Sequence, residues 1–290
     1  LNVHGDAALA AHIAHAADGI LGELELRNFP DGETYARIAS PLTDADAILV
    51  SALDRPNEKI MPLWLTALAA KELGARRVLL VAPYLPYMRQ DTRFHAGEAV
   101  SARAFARLMC AAVDGVITVD PHLHRIARLG DLFPAASRVV HAAPALARWV
   151  QAQVPHPLFI GPDSESEQWT AEVAERAQAP FAIASKRRLG DRRVEVSLPD
   201  IGYWRERTPV IVDDMISTAH TMIETVKILL ARGFAAPWCV AVHGLFVEGA
   251  YQALLTAGAA RVVTCNTVAH PAAEIDVAAA IAAGVRGWLR

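Results

Sequence analysis

One segment of the chain joins an apolar run to two acids, Asp213 and Asp214, and then to a turn rich in hydroxyl groups. A turn that opens a helix leaves backbone N–H groups unpaired, and the positive end of the helix dipole favours an anion. The side chains of Ser217, Thr218 and Thr221 would add donors for a phosphate. The two carboxylates could accept hydrogen bonds from vicinal sugar hydroxyls. The segment therefore predicts a sugar-phosphate site, with a helix cap beside two solvated acids as the alternative.

A second segment places five cations around a loop that contains one glycine: Lys186, Arg187, Arg188, Arg192 and Arg193. A basic loop that closes over a polyphosphate would stabilise the negative charge that develops on a bridging oxygen. The alternative is a solvated surface loop that binds any polyanion weakly.

A third group follows the apolar run 77–83, at the carboxyl end of a predicted parallel strand, where α/β proteins bind ligands. Arg89 and Arg93 offer guanidinium forks to phosphate oxygens, and Gln90 offers two hydrogen-bonding groups to a base or a ribose. Asp91 completes the cluster. An exposed polar turn is the alternative.

Strand-like and helix-like patterns alternate along the whole chain. Apolar runs at 46–51, 77–83, 115–120, 158–161, 209–213, 238–245 and 261–268 predict buried strands, and amphipathic helices lie between them, among them 57–73, 101–112, 164–178 and 218–232. Ser101 is the expected N-cap of its helix. Two further strands, 181–185 and 194–197, flank the basic loop. The pattern predicts an α/β fold of two doubly wound parallel-sheet domains, about 1–150 and 151–290. The last helix could pack on the first domain.

Composition supports a well-packed protein of two domains. The 290 residues are 53% hydrophobic and 20% charged, which excludes a disordered or fibrous chain. A net charge of −3 excludes a general nucleic-acid binder. No apolar run reaches the roughly 18 residues of a membrane span, and no signal peptide is visible. The widely spaced Cys110, Cys239 and Cys265 favour reduced thiols and a cytoplasmic location.

Five motifs in register carry a family resemblance: Phe29–Glu33, Pro83–Asp91, Thr118–His122, Gly161–Asp163 and Lys186–Arg188. Together with the acids and turn at 213–221, they resemble the ribose-phosphate pyrophosphokinase family, from about Phe29 to Ala269. The short basic loop resembles that of the archaeal-like branch. Each domain would then have the type I phosphoribosyltransferase fold. A phosphoribosyltransferase itself is disfavoured because it has one such domain and lacks the first three motifs.

The resemblance implies transfer of the β,γ-diphosphoryl group of ATP to the 1-hydroxyl of ribose 5-phosphate, which gives phosphoribosyl diphosphate and AMP. The implied catalytic pair is Lys186 and Arg188. The implied ATP contacts are Phe29, Asp31, Gly32, Glu33, Arg89, Gln90, Asp91, Arg93 and His122. The implied ribose 5-phosphate contacts are Arg188, Asp213, Asp214, Ser217, Thr218, Ala219, His220 and Thr221. The N-terminal domain would carry the ATP-site motifs, and the C-terminal domain the sugar-phosphate and catalytic loops.

The family resemblance also implies Mg²⁺, held by His122 and Asp163. A carboxylate is the hard oxygen ligand that Mg²⁺ prefers, whereas imidazole suits zinc or copper better. In the family, the loop at Phe29 is donated by a neighbouring subunit. A homo-oligomer of at least two subunits with a shared ATP site is therefore expected.

Two positions depart from the family pattern, which places two glycines where this chain has Ala219 and His220. A Cβ resists positive φ, at a cost of about 1 kcal/mol or more. A protonated His220 could compensate by placing a cation beside the sugar phosphate, and binding would then weaken as the pH rises. The alternative is that the His220 side chain partly blocks the pocket. Ser217 replaces an Asp of many members, as it does in the archaeal-like branch. These departures leave a catalytically silent, nucleotide-binding or regulatory homologue as the alternative to an active enzyme.

Overall fold

The computed structural model describes residues 1–188 and 194–290 of the chain. The chain forms two compact units. The first contains Leu1–His141, Thr267–Ala269 and Val277–Arg290, and the second contains Ala142–Asn266 and His270–Asp276. The sequence analysis places the boundary near residue 150, whereas the second unit begins at Ala142, just before a helix (Ala143–Gln153) that spans this position. The C-terminal helix belongs to the first unit.

The first unit is built on a five-stranded parallel sheet with the order β1-β4-β5-β6-β7. Its strands are β1 (Asn2–His4), β4 (Asp46–Ser51), β5 (Arg77–Ala82), β6 (Gly115–Val119) and β7 (Ala136–Val140). Its helices are α1 (Ala7–Ala16), α2 (Pro56–Glu72), α3 (Ser101–Cys110) and α8 (Ala278–Leu289). Both faces of the central strands are apolar, because a parallel sheet is covered by helices on both sides.

The two faces of this sheet are covered by different helices. Leu80 packs in one core with residues of α2 and α3, such as Leu63 and Phe105. On the other face, α8 packs against β6 and β7 and also contacts α1. Gly115 on β6 permits this approach, because a Cβ there would lie 2.9 Å from Cε2 of the Trp288 ring on α8. The first unit is therefore doubly wound, as predicted.

A two-stranded antiparallel hairpin accompanies the first sheet. It consists of β2 (Leu24–Asn28) and β3 (Thr34–Ile38), with Asn28 paired to Thr34 beside the turn. The sequence analysis identified the loop at Phe29 but not these strands. Alternating partly buried and exposed residues in β2 explain the omission, since the strand lacks a continuous apolar run.

The second unit contains a six-stranded parallel sheet with the order β15-β14-β13-β12-β8-β9. Its strands are β8 (Pro157–Gly161), β9 (Phe181–Ile183), β12 (Thr208–Ile216), β13 (Trp238–Gly244), β14 (Arg261–Cys265) and β15 (Ala273–Ile275). An antiparallel ribbon is formed by β10 (Ser185–Arg188) and β11 (Val194–Ser197). The helices are α4 (Ala143–Gln153), α5 (Glu167–Arg176), α6 (His220–Ala231) and α7 (Ala250–Thr256).

Local differences from the predicted elements occur at their ends. Val100, not Ser101, is the N-cap of α3, and no side chain in the described part of the chain caps this helix. The predicted cap is wrong because the Ser101 hydroxyl donates to Gln90 Oε1 at 2.9 Å. Strand β12 continues beyond its two acids to Ile216. No helix of the described residues is long and apolar enough to cross a membrane.

Candidate active site

A three-residue connection, Ser217 to Ala219, leads from β12 into α6 in the second unit. Among the described residues, no side chain caps α6. Its first N–H groups therefore face the end of the loop without a side-chain acceptor, which is the arrangement that binds an anion at a helix N-terminus. We call residues 217–221 the sugar-phosphate loop, after the ligand that the sequence predicts. The strand and the helix on either side fix both of its ends.

Ala219 adopts a left-handed conformation, with φ 61° and ψ 10°. Its carbonyl oxygen accepts the N–H of Ile223 at 2.8 Å, which starts the hydrogen-bonding pattern of α6. A residue with a Cβ pays about 1 kcal/mol for this backbone geometry. The loop thus keeps a conformation that favours glycine although the residue is alanine. His220 follows as the first residue of the helix, and its side chain is exposed.

Three carboxylates lie near one another at the end of the second sheet. Asp213 is on β12, and Asp163 follows β8, the strand paired with β12. Burial raises the pKa of Asp213 well above its usual value, and the neighbouring charges of Asp214 and Asp163 raise this pKa further. The N–H of Asp214 donates to Asp213 Oδ1 at 2.9 Å and opposes the shift. A nearby cation would relieve this repulsion. The Asp163 carboxylate is the hard oxygen ligand that Mg²⁺ prefers, but these three acids are not placed to hold a metal ion by themselves.

The turn that carries Asp163 is held by its own side chain and by a glycine. Ser166 donates its N–H to Asp163 Oδ1 at 3.3 Å and its hydroxyl to the Asp163 carbonyl at 2.7 Å. A Cβ on Gly161 would lie 2.6 Å from Ser166 Oγ and 2.8 Å from Thr170 Oγ1. Glycine is therefore required where β8 meets this turn, and the turn fixes the backbone of the carboxylate.

The basic segment begins in the antiparallel ribbon of the second unit. The backbone of Lys186 pairs with Val196, and that of Arg188 pairs with Val194. Arg192 and Arg193 lie outside the described residues. Both predicted catalytic residues therefore lie on β10, where the ribbon fixes their backbone. Their catalytic roles stay predictions.

In the first unit, the tip of the β2–β3 hairpin is a tight, exposed turn. Phe29 donates its N–H to the Glu33 carbonyl at 2.8 Å, and Gly32 donates to the Phe29 carbonyl at 2.9 Å. Asp31 Oδ1 accepts the N–H of Glu33 at 3.1 Å. Gly32 has φ 94°, which a residue without a Cβ adopts without strain. The Asp31 carboxylate thus shapes the turn and keeps one oxygen without a described partner.

An aromatic surface lies beside this turn. The Arg27 guanidinium lies 4.8 Å from the centre of the Phe29 ring and 4.1 Å from that of Tyr35. The two rings meet edge to face at 6.0 Å. Phe29 is 40% exposed, so one ring face remains available for a stacking ligand. The predicted ATP contacts Phe29, Asp31, Gly32 and Glu33 therefore share the exposed tip of one hairpin.

The two arginines of the predicted Arg89–Arg93 cluster lie at the surface, whereas Asp91 is buried. Arg89 is exposed. Arg93 is also exposed, and its Nε donates to the Glu98 carbonyl at 2.9 Å. The Glu98 carboxylate accepts the N–H of Phe94 at 2.8 Å and that of His95 at 3.1 Å, so it organises the loop before α3. The sequence analysis missed Glu98, because nothing in the sequence distinguishes it from a solvated acid.

Asp91 is buried and binds Arg125. One carboxylate oxygen accepts the backbone N–H of Arg125 at 2.9 Å, and the other accepts its guanidinium at 3.1 Å. Burial raises the pKa of Asp91, but these hydrogen bonds outweigh burial and hold this pKa below its usual value. Asp91 therefore holds the segment that follows His122, and Arg125 is a second residue that the sequence analysis missed.

The two predicted metal ligands belong to different units. His122 is in the first unit, where its ring lies 4.2 Å from that of His124. Asp163 is in the second unit with the other two carboxylates. Within residues 1–188 and 194–290, no group of three or more His, Cys, Asp or Glu side chains is placed to hold a metal ion by itself. Joint coordination by His122 and Asp163 stays a prediction.

Comparison with known proteins decides the family. A model of the N-terminal domain of ribose phosphate pyrophosphokinase matches residues 1–112, and a phosphoribosyl transferase domain model matches residues 137–280. A protein of Methanobrevibacter smithii named ribose-phosphate pyrophosphokinase is 32% identical over 286 residues, which cover 94% of this chain and 95% of the relative. The chain belongs to the ribose-phosphate pyrophosphokinase family.

A second relative supports membership of the ribose-phosphate pyrophosphokinase family, and a solved structure supports the fold. A protein of the same name from Methanopyrus kandleri is 33% identical over 280 residues, or 96% of this chain and 94% of the relative. The crystal structure of phosphoribosylpyrophosphate synthetase from Mycobacterium smegmatis matches with a TM-score of 0.85 and 24% identity, covering 99% of this chain and 97% of that one. The predicted α/β fold of two parallel-sheet domains, of the type I phosphoribosyltransferase kind, is confirmed.

Proposed function

We propose that this protein is a ribose-phosphate diphosphokinase, which transfers the β,γ-diphosphoryl group of ATP to the 1-hydroxyl of ribose 5-phosphate. The observation that carries the proposal is the sugar-phosphate loop, which joins the partly buried Asp213 on β12 to α6, a helix that no described side chain caps. The two relatives described above are named ribose-phosphate pyrophosphokinase, and this chain matches them over nearly their whole length. They do not favour a catalytically silent homologue, and the N-terminal family domain disfavours a phosphoribosyltransferase.

The sugar substrate would bind along the sugar-phosphate loop. Its 5-phosphate would accept hydrogen bonds from the first N–H groups of α6 and from the hydroxyls of Ser217, Thr218 and Thr221. Asp213 and Asp214 would accept hydrogen bonds from the ribose hydroxyls. His220 would lie beside the phosphate, and the backbone of Ala219 would approach it.

In the reaction, the oxygen of the 1-hydroxyl attacks the β-phosphorus of ATP. A new O–P bond forms, and the bond from the β-phosphorus to the α,β-bridging oxygen breaks. AMP leaves with that oxygen, and the proton of the hydroxyl goes to solvent. The protein contributes positioning and charge neutralisation, because the substrates supply both the nucleophile and the leaving group. We assign the stabilisation of the leaving oxygen to Lys186 and Arg188.

ATP would bind to the predicted contacts of the first unit. The exposed ring of Phe29 would stack on the adenine, and Asp31 and Glu33 would accept its N–H groups. Gly32 gives the turn its shape, while Arg89, Gln90 and Arg93 contact phosphate or ribose. Asp91 would act through Arg125, since it is buried and bonded there.

We propose Mg²⁺ as the metal ion, with Asp163 and His122 as its protein ligands. Mg²⁺ is usually bound by one or two carboxylates together with substrate phosphates and water, so a site with few protein ligands is expected. When bound, the ion would neutralise the polyphosphate charge and lower the repulsion between Asp163 and the acids of β12.

Assembly and location complete the proposal. A hairpin whose aromatic tip is exposed suits a site shared with a neighbouring subunit, so we propose a homo-oligomer of at least two chains. Cys110, Cys239 and Cys265 form no disulfide in the described part of the chain, in keeping with the cytoplasmic location predicted from the sequence.

AMP formation from ATP tests the proposed function directly. The purified protein is incubated with ATP and Mg²⁺, with and without ribose 5-phosphate, and the products are separated by ion-exchange chromatography. We expect AMP and phosphoribosyl diphosphate in equal amounts, and only when the sugar is present. ATP binding without sugar-dependent AMP would favour the silent homologue, and consumption of phosphoribosyl diphosphate with a nucleobase would favour a phosphoribosyltransferase.

A further inference from the structure

The connection after β13 holds a short backbone segment in an unfavourable conformation. Phe246 (φ 44°), Glu248 (φ 55°) and Gly249 (φ 76°) all lie in the left-handed region, and only the last is a glycine. Residues with a Cβ resist this region, so it persists only where surrounding contacts enforce it. We call residues 245–249 the strained connection.

Three rings pack together at the strained connection. The Phe246 ring lies 4.3 Å from that of His270 and 5.4 Å from that of Tyr251, and the last two rings are 5.1 Å apart. His270 Nδ1 accepts the N–H of Ala272 at 3.0 Å, which orients its ring. Burial lowers the pKa of His270, so a neutral ring packs against Phe246. We call Phe246, Tyr251 and His270 the aromatic cluster.

The strained connection is bonded to the start of the sugar-phosphate loop. Leu245 and Phe246 donate their N–H groups to the Ile216 carbonyl at 2.9 and 3.0 Å. Val247 donates its N–H to the Ser217 carbonyl at 3.2 Å. These bonds extend the pairing of β12 with β13 to the point where the loop begins. Ring contacts and backbone hydrogen bonds thus connect the aromatic cluster, through the strained connection, to the sugar-phosphate loop within the second unit.

We propose that the aromatic cluster positions the sugar-phosphate loop: Tyr251 and His270 hold Phe246 in its left-handed conformation, and the strained connection fixes the carbonyls of Ile216 and Ser217. These are positioning residues, because they act through the backbone. The inference rests on the proposed function, since it takes this loop as the ribose 5-phosphate site.

The variant His270→Ala tests this inference, since it removes one ring that does not bind substrate. We expect its dissociation constant for ribose 5-phosphate, measured by calorimetry, to rise about five- to tenfold, as expected for coupled neighbours. The affinity for the analogue α,β-methylene-ATP, in which the bond that breaks in the reaction is replaced by a stable one, should stay unchanged. In the ligand-free protein, hydrogen exchange should become faster at residues 245–247 and in the sugar-phosphate loop.

Two further variants separate positioning from general loss of structure. His270→Phe keeps an aromatic ring and should restore most of the sugar affinity and the slow exchange. Tyr203→Ala removes a ring that is 72% exposed in the same unit, and it should change neither readout. If His270→Ala does not fold, Tyr251→Leu is measured in its place.

The inference would be overturned if hydrogen exchange in the sugar-phosphate loop were the same in His270→Ala as in wild type. It would also be overturned if His270→Ala lost affinity for sugar and nucleotide equally and His270→Phe did not restore it. If the wild-type protein binds no ribose 5-phosphate, the proposed function fails. Exchange in the ligand-free protein still decides whether the cluster positions the loop.

Discussion

The Asp91 carboxylate holds Arg125 by two hydrogen bonds, one from its backbone N–H at 2.9 Å and one from its guanidinium at 3.1 Å. The carboxylate is almost fully buried, whereas the Arg125 side chain is 60% exposed. A segment predicted to bind ATP thereby anchors the residues that follow the predicted metal ligand His122. Positioning and binding are combined in neighbouring residues of one loop.

Replacement of this carboxylate should cost stability and nucleotide affinity together. We expect Asp91→Ala to lower the free energy of unfolding by about 1.5–3 kcal/mol, the range for hydrogen bonds to a charged group. The Michaelis constant for ATP should rise more than that for ribose 5-phosphate. Urea unfolding measures the stability, and steady-state kinetics measures the Michaelis constants. As a control for stability, Asp31→Ala at the exposed hairpin tip should leave the free energy of unfolding nearly unchanged.

The same pair predicts an acid-dependent loss of stability. The pKa of Asp91 is lower in the folded protein than in the unfolded chain, so the unfolded state binds a proton first as the pH falls. The stabilisation of the folded protein by the Asp91 carboxylate is therefore present above the ordinary pKa of Asp, near 4, and is lost as the pH falls below this value. The difference in unfolding free energy between wild type and Asp91→Asn should therefore shrink from pH 7 to pH 3. A constant difference would contradict the role of this charge.

Glycine at position 219 should stabilise the protein. Ala219 has φ 61°, so Ala219→Gly removes a strain of about 1 kcal/mol and should raise the melting temperature. Ala253→Gly, at an exposed position within α7, should instead lower stability by about 0.5–1 kcal/mol. Calorimetric melting of both variants checks the opposite signs, and a loss of stability in Ala219→Gly would show that the backbone is not strained there.

His220 should strengthen sugar-phosphate binding. It is the first residue of α6 and its side chain is exposed, so its ring can donate a hydrogen bond to the 5-phosphate. We expect His220→Gly to bind ribose 5-phosphate about two- to fivefold more weakly than wild type, as for one exposed polar contact. Calorimetry measures this difference, and an unchanged affinity would exclude the contact.

Lys186 should be needed for turnover but not for nucleotide binding. We expect Lys186→Ala to lose about 100-fold or more in kcat, the loss typical of one removed charge-stabilising group, with ATP-analogue affinity almost retained. Arg205→Ala removes an exposed cation outside the predicted site and serves as the control. Normal turnover in Lys186→Ala would exclude the basic segment from the chemistry.

Continuous apolar runs in the sequence predicted the central strands of both sheets. Continuous apolar runs such as 46–51 and 77–82 became central strands, because a parallel sheet buries both faces. The β2–β3 hairpin was missed for the opposite reason, since its strands are partly exposed. The predicted cap at Ser101 failed because a more distant partner, Gln90, accepts its hydroxyl.

The two parallel-sheet domains, the family motifs and the loop after Asp213 could be predicted from the chain alone, since strand period, turn chemistry and the order of motifs are written in the sequence. Which side chains meet depends instead on how distant segments pack together. Asp213 and Asp163 become neighbours because β8 pairs with β12, and burial then shifts a pKa that no local pattern encodes. Ring contacts between Phe246 and His270 likewise depend on the packing of segments that are separate in the chain.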